Sequence, residues 1–398
     1  MTEKSILSPR AACLGRVIML LFGLALALVL VEIAGRLVFD FDPLPGWAQD
    51  FNNRVGYELR PYQGYEYISQ SDEFAITVKH NSRGLHDVEH ILEKPVGVFR
   101  ILILADSYGH AREVPLEAHF ARQLEALLND SAPEGMTFEV INAGHFGLGT
   151  VQEYLYYTTE GYRYDPDLVL LGFYVGNDVL DNYGPLIRQW NAVETVDFPH
   201  YEYVSGTLNL IQPGMDSTRR FKSWLRQNIF IVNTLAGSRP PDRVEVGDPT
   251  SITDQTLYVP MGIYLKTATL WDEAWGVVPY ALRDLRAAVE ADDAQFGVFV
   301  IPDRRQIYDA DWESALTKLA DLDPAALDRE QPTRRIMDVL ASEHIPALNL
   351  LDPFRATDER LYFEIDGHWN EAGHTLTAKV LADWLRDEAL IVAMEDGS

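Results

Sequence analysis

The longest apolar run of the chain lies near its start. Val17 to Val31 reads VIMLLFGLALALVLV, and apolar residues continue past Glu32 to Phe39. A helix rises about 1.5 Å per residue and the hydrocarbon core of a membrane is roughly 30 Å thick, so a spanning helix must use residues beyond Val31. Glu32 and Arg36 lie four residues apart, and we expect them to pair near the membrane interface.

The charges that flank this run are asymmetric. Lys4, Arg10 and Arg16 precede it. Glu32, Arg36, Asp40 and Asp42 follow it. Positive residues stay on the cytoplasmic side, so the sequence predicts a cytoplasmic N-terminus (1–16), a transmembrane anchor (17–39) and an extracytoplasmic remainder.

Two alternatives to an anchor are a cleaved signal peptide and a buried core helix. A signal peptide has an apolar region of about 7 to 15 residues followed by a small-x-small cleavage site. The stretch 32–34, Glu-Ile-Ala, is not a convincing site of that kind. The pattern therefore favours an uncleaved anchor, and a buried helix is the least favoured interpretation.

Apolar runs alternate with helix-like stretches in the rest of the chain. The runs are 99–105, 137–143, 168–174, 296–302 and 346–352, and the helix-like stretches include 117–130, 153–162, 271–290 and 333–343. Runs without polar alternation are typical of parallel strands that are buried on both faces. The sequence therefore predicts an α/β fold of three layers, α/β/α, with a parallel sheet.

Two segments depart from this rhythm. Residues 40–80 are rich in Tyr, Gly and Asn and predict a linker that packs on the main domain, which we place at 81–398. Residues 183–269 predict an inserted cap. They contain a hairpin at 201–211 with Ser205-Gly206 as its turn, followed by an amphipathic stretch at 221–235.

Composition and charge exclude several classes of protein. Hydrophobic residues make up 47% of the chain, which suits a globular core. A net charge of -27 repels phosphate backbones, so we expect no nucleic-acid partner. Cys13 is the single cysteine, which rules out an intrachain disulfide, and it precedes the apolar run, which disfavours a lipoprotein cleavage site.

Polar side chains follow the ends of the predicted strands. Ser107 follows the first strand, Gly147 the second and Asn177 the third, while Asp366 and His368 precede the last helix. Ligands of open α/β sheets bind beyond the carboxyl ends of the strands. We therefore expect these five residues to meet at one edge of the sheet.

These residue types match the needs of ester chemistry. A serine such as Ser107 needs a base, which His368 can supply, with Asp366 orienting its ring. Backbone N–H groups of Ser107 and Gly147 and the side-chain amide of Asn177 can hold an oxyanion. Taken singly, each residue has a simpler explanation as a helix cap, a turn or a buried histidine.

The blocks that contain these residues resemble those of the SGNH (GDSL-like) hydrolases, in particular their membrane-anchored bacterial type. The blocks are ADSYG (105–109), NAGHFG (142–147), VGND (175–178) and DGHWNEAGH (366–374). Ala105 replaces the usual Gly of the first block. The Asp-x-His spacing is similar to that of polysaccharide-acetylating relatives, and it leaves Glu364 as an alternative to Asp366 in orienting His368.

The resemblance implies a flavodoxin-like fold and a serine esterase that hydrolyses O-acyl esters, including O-acetyl esters, on envelope glycans or lipids. An O-acetyltransferase acting on a surface polysaccharide is one alternative, and an inactive carbohydrate-binding or assembly protein is another. We expect no cofactor, and no metal, because His80, His145 and His374 lack metal-ligand spacing.

Overall fold

A computed structural model describes residues 9–38, 49–52, 54–62, 64–69, 71–191, 196, 198–212, 218, 221, 225, 229, 231–232, 259–319 and 322–391. These residues fall into two compact units. The first is Met1–Pro45 with Met215–Arg243, and the second is Gly46–Gly214 with Val244–Ser398. Residues 1–8 of the predicted cytoplasmic N-terminus (1–16), much of the predicted cap (183–269) and most of its amphipathic stretch 221–235 lie outside the described residues.

Helix α1 (Pro9–Val38) forms the described core of the first unit. Its segment Cys13–Val38 has a mean hydropathy of 2.8, and none of its most apolar window is buried. By length and composition this helix can cross a membrane, and it is compatible with an anchor or with a signal sequence. The expected pair forms, with Nη2 of Arg36 2.7 Å from Oε1 of Glu32.

Strands of the second unit are numbered in chain order. They are β1 (Gln49–Asn52), β2 (Gly56–Leu59), β3 (Gly64–Ile68), β4 (Ala75–Lys79), β5 (Val98–Ala105), β6 (Thr137–Asn142), β7 (Leu168–Tyr174), β8 (His200–Val204), β9 (Thr207–Ile211), β10 (Gln295–Ile301) and β11 (Ala347–Asn349). Strands β5, β6, β7, β10 and β11 form one parallel sheet in the order β11-β10-β7-β5-β6. The predicted α/β fold with a parallel sheet is confirmed.

Helices cover this sheet and connect its strands. They are α2 (Ser107–His110), α3 (Phe120–Asn129), α4 (Thr150–Thr159), α5 (Asp178–Asp181), α6 (Gly184–Asn191), α7 (Val259–Gly262), α8 (Thr269–Ala291), α9 (Arg304–Ile307), α10 (Asp309–Thr317), α11 (Gln331–Ser342), α12 (Leu351–Arg355) and α13 (Glu371–Asp387). The helix-like stretches of the sequence correspond to α3, α4, α8 and α11. The strand predicted at 346–352 is shorter than expected, because α12 already begins at Leu351.

Strand β5 shows why the sheet strands are mainly apolar. Ile101 and Ile103 lie on one face, in a core cluster that includes residues of α3 and α13. Leu102 and Leu104 lie on the other face, in a cluster with residues of α4 and α8. Because both faces are covered, the strand lacks the alternation of apolar and polar residues that is typical of a half-exposed strand.

In the part of the chain that the structure describes, three antiparallel pairs accompany the sheet. Strands β1 and β2 form one pair, and β3 and β4 form another, within the segment that the sequence predicted to be a linker. Strands β8 and β9 form the predicted hairpin. Its turn residues Ser205 and Gly206 both have positive φ, 51° and 81°, as a tight hairpin turn requires.

Candidate active site

Ser107 lies where β5 meets the short helix α2. Asp106 caps this helix, and its carboxylate accepts a hydrogen bond from the backbone N–H of Tyr108 at 2.9 Å. The turn is packed tightly against the loop after β6. A Cβ on Gly144 would lie 2.1 Å from the carbonyl carbon of Gly109, so only glycine fits at position 144.

His368 connects Ser107 to Asp366. Its Nε2 lies 2.9 Å from Oγ of Ser107, and its Nδ1 lies 2.6 Å from Oδ1 of Asp366. Gly367 between them has φ 91°, which lets both side chains turn to the same side. Glu364, the alternative partner, is exposed to solvent. Residues that are 261 positions apart in the chain therefore form one connected chain of hydrogen bonds.

The turn that carries Asp366 is held by the segment between β3 and β4. The carboxylate of Glu73 accepts hydrogen bonds from the backbone N–H groups of Ile365 (3.0 Å) and Asp366 (2.9 Å). These bonds fix the backbone from which the Asp366 side chain projects. Nothing in the sequence pattern of residues 40–80 indicated this contact, because it joins positions that are far apart in the chain.

A second carboxylate lies beside the histidine. Glu113 has a side chain that is 1% exposed, and its Oε1 is 3.6 Å from Nδ1 of His368. Nε of Arg112 lies 3.3 Å from the same oxygen, and the carboxylate of Asp366 lies within 4.8 Å. Glu113 belongs to none of the four motif blocks, so the sequence alone did not indicate it.

These carboxylates determine the charge state of the histidine. Burial alone would lower the pKa of His368, but the charge of Glu113 and the hydrogen bond with Asp366 outweigh it and raise that pKa to about 9. Burial opposes ionisation of Asp366 as well, yet the hydrogen bond from His368 leaves the pKa of Asp366 lowered. Burial raises the pKa of Glu113.

The expected oxyanion donors lie at the ends of the neighbouring strands. Gly147 is exposed and has φ 77°, a conformation that glycine adopts without strain. The amide nitrogen of Asn177 donates a hydrogen bond to Oδ2 of Asp181 at 2.9 Å. An amide nitrogen carries two hydrogens, so this bond leaves one hydrogen for another acceptor.

Asp181 belongs to a group of largely buried carboxyl groups near Asn177, which we call the acidic cluster. Its members are Asp106, Glu153, Asp178 and Asp181. Burial raises the pKa of Asp106 to about 6 and that of Asp181 to about 7. Burial and the charges of neighbouring carboxylates also raise the pKa values of Glu153 and Asp178. Burial and mutual repulsion therefore favour the protonated forms of these carboxyl groups.

The histidines considered as metal ligands are buried. Nε2 of His80 lies 3.3 Å from Nε2 of His110, and burial lowers the pKa of His80 to about 4. Within the described residues, one group brings three potential ligands within 4.8 Å of one another, namely Glu113, Asp366 and His368. The 2.6 Å contact between Nδ1 of His368 and Oδ1 of Asp366 has the length of a hydrogen bond.

A polar cleft opens beside the histidine. It has a volume of about 180 Å³. Its lining residues are Tyr108, Tyr174, Asp303, Arg304, Arg305, Asp366, Gly367 and His368. Cleft, serine and histidine are thus adjacent, and the hydroxyl, carboxylate and guanidinium groups of the lining suit a ligand rich in hydroxyl groups.

Residues 279–396 match a protein family described as "SGNH hydrolase-like domain, acetyltransferase AlgX". The matched segment contains Asp366 and His368 but not Ser107. The resemblance to SGNH hydrolases that the motifs predicted is confirmed by this match. No protein with a curated description matches the chain.

Several solved structures are similar to the chain. The acetyl xylan esterase AlAXEase is 12% identical with a TM-score of 0.37, and the match covers 72% of this chain and 98% of that one. A catalytic mutant of Axe2, an acetylxylan esterase from Geobacillus stearothermophilus, is 11% identical with a TM-score of 0.37, and the match covers 72% of this chain and 94% of that one. A two-domain esterase (CEX) active on acetylated mannans is 11% identical with a TM-score of 0.39, and the match covers 75% of this chain and 51% of that one.

Proposed function

We propose that this chain, which carries an SGNH hydrolase-like domain, is a membrane-anchored serine esterase that removes O-acyl groups, including O-acetyl groups, from glycans or lipids of the cell envelope. The observation that carries the proposal is the continuous set of contacts from Ser107 through His368 to Asp366. A serine within 2.9 Å of an imidazole whose other nitrogen meets a carboxylate has the arrangement of an activated nucleophile.

The geometry suits the following steps. Nε2 of His368 takes the proton of Ser107 as Oγ attacks the ester carbonyl carbon, and Asp366 stabilises the imidazolium that forms. The carbonyl oxygen becomes an oxyanion that the N–H groups of Ser107 and Gly147 and the amide of Asn177 can hold. When this tetrahedral intermediate collapses, the bond between the carbonyl carbon and the alcohol oxygen breaks. The alcohol leaves with the proton from His368, and the acyl group stays on Oγ of Ser107.

Water completes the hydrolysis. His368 takes a proton from the attacking water and returns it to Oγ of Ser107 when the acyl group leaves as a carboxylic acid. The polar cleft beside His368 is the place from which the alcohol departs and water enters. Because the base must be neutral, and the pKa of His368 is raised to about 9, we expect activity to increase as pH rises toward that value.

An O-acetyltransferase is the second candidate function. It is favoured by the family match, whose description names an acetyltransferase. Both functions share the acyl group on Ser107, and they differ only in whether water or a sugar hydroxyl attacks it. Incubation with an acetyl donor and an acceptor glycan separates them, because hydrolysis releases free acetate and transfer gives acetylated glycan.

The location of the domain decides which esters it meets. The positive residues before the apolar run 17–31 and the acidic residues after it favour a cytoplasmic N-terminus and an extracytoplasmic second unit. An outward-facing domain meets envelope glycans and lipids. This topology is the reason for proposing that substrate class, and a reporter fused to the C-terminus tests it.

A fluorophosphonate serine probe tests the nucleophile. We expect the full-length protein in detergent to be labelled at Ser107 and to hydrolyse short-chain p-nitrophenyl esters. The variant Ser107→Ala should keep its fold by circular dichroism and lose both properties, because no other group in the proposed mechanism forms the acyl bond. Labelling at a different serine would contradict the assignment, and a folded wild-type protein that the probe does not label would favour an inactive binding or assembly protein.

A further inference from the structure

Glu113 contacts the same imidazole nitrogen as Asp366 but comes from a different part of the fold. Oε1 of Glu113 is 3.6 Å from Nδ1 of His368, while Oδ1 of Asp366 is 2.6 Å from it. We propose that Glu113 is a positioning residue, a second carboxylate that stabilises the His368 imidazolium in the transition state. The inference rests on the proposed function, because it assigns Glu113 a role in the chemistry of Ser107.

The backbone after α2 brings Glu113 to this position. The helix ends at His110, and Ala111 follows in the left-handed region with φ 44°. A residue other than glycine rarely adopts this conformation, and here it reverses the chain directly after the nucleophile helix. Val114 closes the turn with a backbone bond to the carbonyl of Ala111 at 3.5 Å. Ser107 and Glu113 are thus held close to His368 by one short segment.

Arg112 holds the Glu113 carboxylate in place. Its Nε lies 3.3 Å from Oε1 of Glu113. Its guanidinium lies 4.2 Å from the ring centre of Tyr67 and 4.0 Å from that of Phe146. Two aromatic contacts restrict the rotamers of a long side chain, so Oε1 of Glu113, the oxygen that also approaches His368, has a fixed partner.

Burial makes the charge of Glu113 effective at this distance. The side chain is 1% exposed, so little water screens it from His368. A distance of 3.6 Å is too long for a good hydrogen bond, and Nδ1 carries a single hydrogen that already meets Asp366. The contribution of Glu113 is therefore electrostatic, whereas Asp366 also orients the ring.

Other charged and titratable groups face the same imidazole and contribute to its pH dependence. They are Asp366 on its own turn, Asp106 at the end of β5, Tyr108 on α2, Glu113 and Arg112 after α2, and His374 on α13. Asp106, Asp366 and Glu113 favour the imidazolium, and the charge of Arg112 favours the ionised form of Glu113. Of these acids, Glu113 is the one that neither caps the nucleophile helix nor hydrogen-bonds the ring.

A charge effect of this kind has a distinctive dependence on pH. At low pH the resting His368 already carries its proton, so Glu113 stabilises the resting enzyme and the transition state equally. At high pH the resting imidazole is neutral, so the charge of Glu113 stabilises only the transition state, in which the imidazole carries a proton. Loss of the charge should therefore leave kcat/KM unchanged at low pH and lower it at high pH.

The variant Glu113→Gln tests this dependence, because it keeps the size of the side chain and removes its charge. With full-length protein in detergent we measure kcat/KM for p-nitrophenyl acetate, and the rate of fluorophosphonate labelling, from about pH 6 to pH 9.5. We expect the midpoint of the acid limb to fall by about one pH unit and the rate at the highest pH to fall about 10-fold, since one pKa unit corresponds to a factor of ten. Below about pH 7 the two curves should coincide.

Two further variants serve as controls. Glu113→Asp keeps the charge and should restore the wild-type midpoint. Glu139→Gln removes a glutamate that pairs with Arg100 and His90, away from the His368 contacts, and should leave the midpoint unchanged. An equal loss of rate at every pH in Glu113→Gln, or an unchanged midpoint, would overturn the proposal.

The experiment separates this inference from the proposed function. If Ser107→Ala abolishes labelling and hydrolysis while Glu113→Gln keeps the wild-type midpoint, only the role of Glu113 fails. If Ser107→Ala retains both activities, the proposed function fails. Should Glu113→Gln not fold, Glu113→Ala decides, because it also removes the charge: a midpoint lowered by about one pH unit supports the charge role, and a wild-type midpoint contradicts it.

Discussion

The acidic cluster makes a prediction about stability that can be worked out from the structure. The perturbation is Asp181→Asn, which removes one ionisable group from the cluster and keeps an oxygen that can accept the hydrogen bond from Asn177. Burial raises the pKa of Asp181 from 3.8 to about 7. The folded protein therefore keeps a proton that the unfolded chain has already lost between these two pH values.

The sign and the size follow from proton linkage. Because the folded pKa is raised, the contribution of the protonated Asp181 is fully present below about pH 4 and is lost as pH rises through about 7. Each pH unit in this window costs about 1.4 kcal/mol, so the limit is about 4 kcal/mol. Asp181 keeps some exposure, and we therefore expect Asp181→Asn to gain about 2 to 4 kcal/mol over wild type at pH 8.

The assay is urea unfolding of full-length protein in detergent, followed by tryptophan fluorescence at pH values from 4 to 8. The free energies of unfolding of wild type and Asp181→Asn should coincide at pH 4 and separate as pH rises. Asp383→Asn is the matched control, since Asp383 has a side chain that is 77% exposed and should follow wild type throughout. Parallel curves for wild type and Asp181→Asn would refute the reasoning.

Two other predictions concern the proposed donor and the topology. Asn177→Ala should lower kcat for ester hydrolysis by about 10² to 10³ with little change in KM, because an oxyanion bond strengthens mainly in the transition state; an effect on KM alone would mean that Asn177 binds the ground-state substrate. A reporter that is active only outside the cytoplasm, fused after Ser398, should be active, and the protein should stay with membranes in high salt, because ions do not screen the burial of an apolar helix. Activity of a cytoplasmic reporter instead would contradict the anchor orientation and the envelope substrates, but not the roles of Ser107 and His368.

The sheet could be predicted because its signal is local. A strand buried on both faces must be apolar at each position, and 168–174 therefore coincides with β7. The hairpin at 201–211 could be predicted for the same reason, since the dipeptide Ser205-Gly206 is a local turn signal between two strand-like segments. The short helices α5, α9 and α12 could not, because four or five residues do not form a period that can be recognised.

The site was only partly predictable. Ser107 and His368 are marked by motif blocks, and the structure brings their side chains within 2.9 Å. The choice between Asp366 and Glu364 stayed open in the sequence, because both carboxylates are near His368 in the chain and only the backbone direction at Gly367 separates them. Glu113 carried no signal at all, since its approach depends on a left-handed alanine, and propensity assigns no such conformation to Ala111.

The contact between Glu73 and the Asp366 turn has a consequence for how the chain tolerates cleavage. A protease that cuts before Gln49 removes the apolar helix and leaves the β3–β4 hairpin attached to the rest. A cut between β4 and β5 separates Glu73 from the two backbone N–H groups that it holds, and only noncovalent contacts then keep the hairpin in place. Under the proposed function, we expect the first cut to release an active domain from the membrane and the second cut to lower its activity, so the two products differ in activity according to the position of the cut.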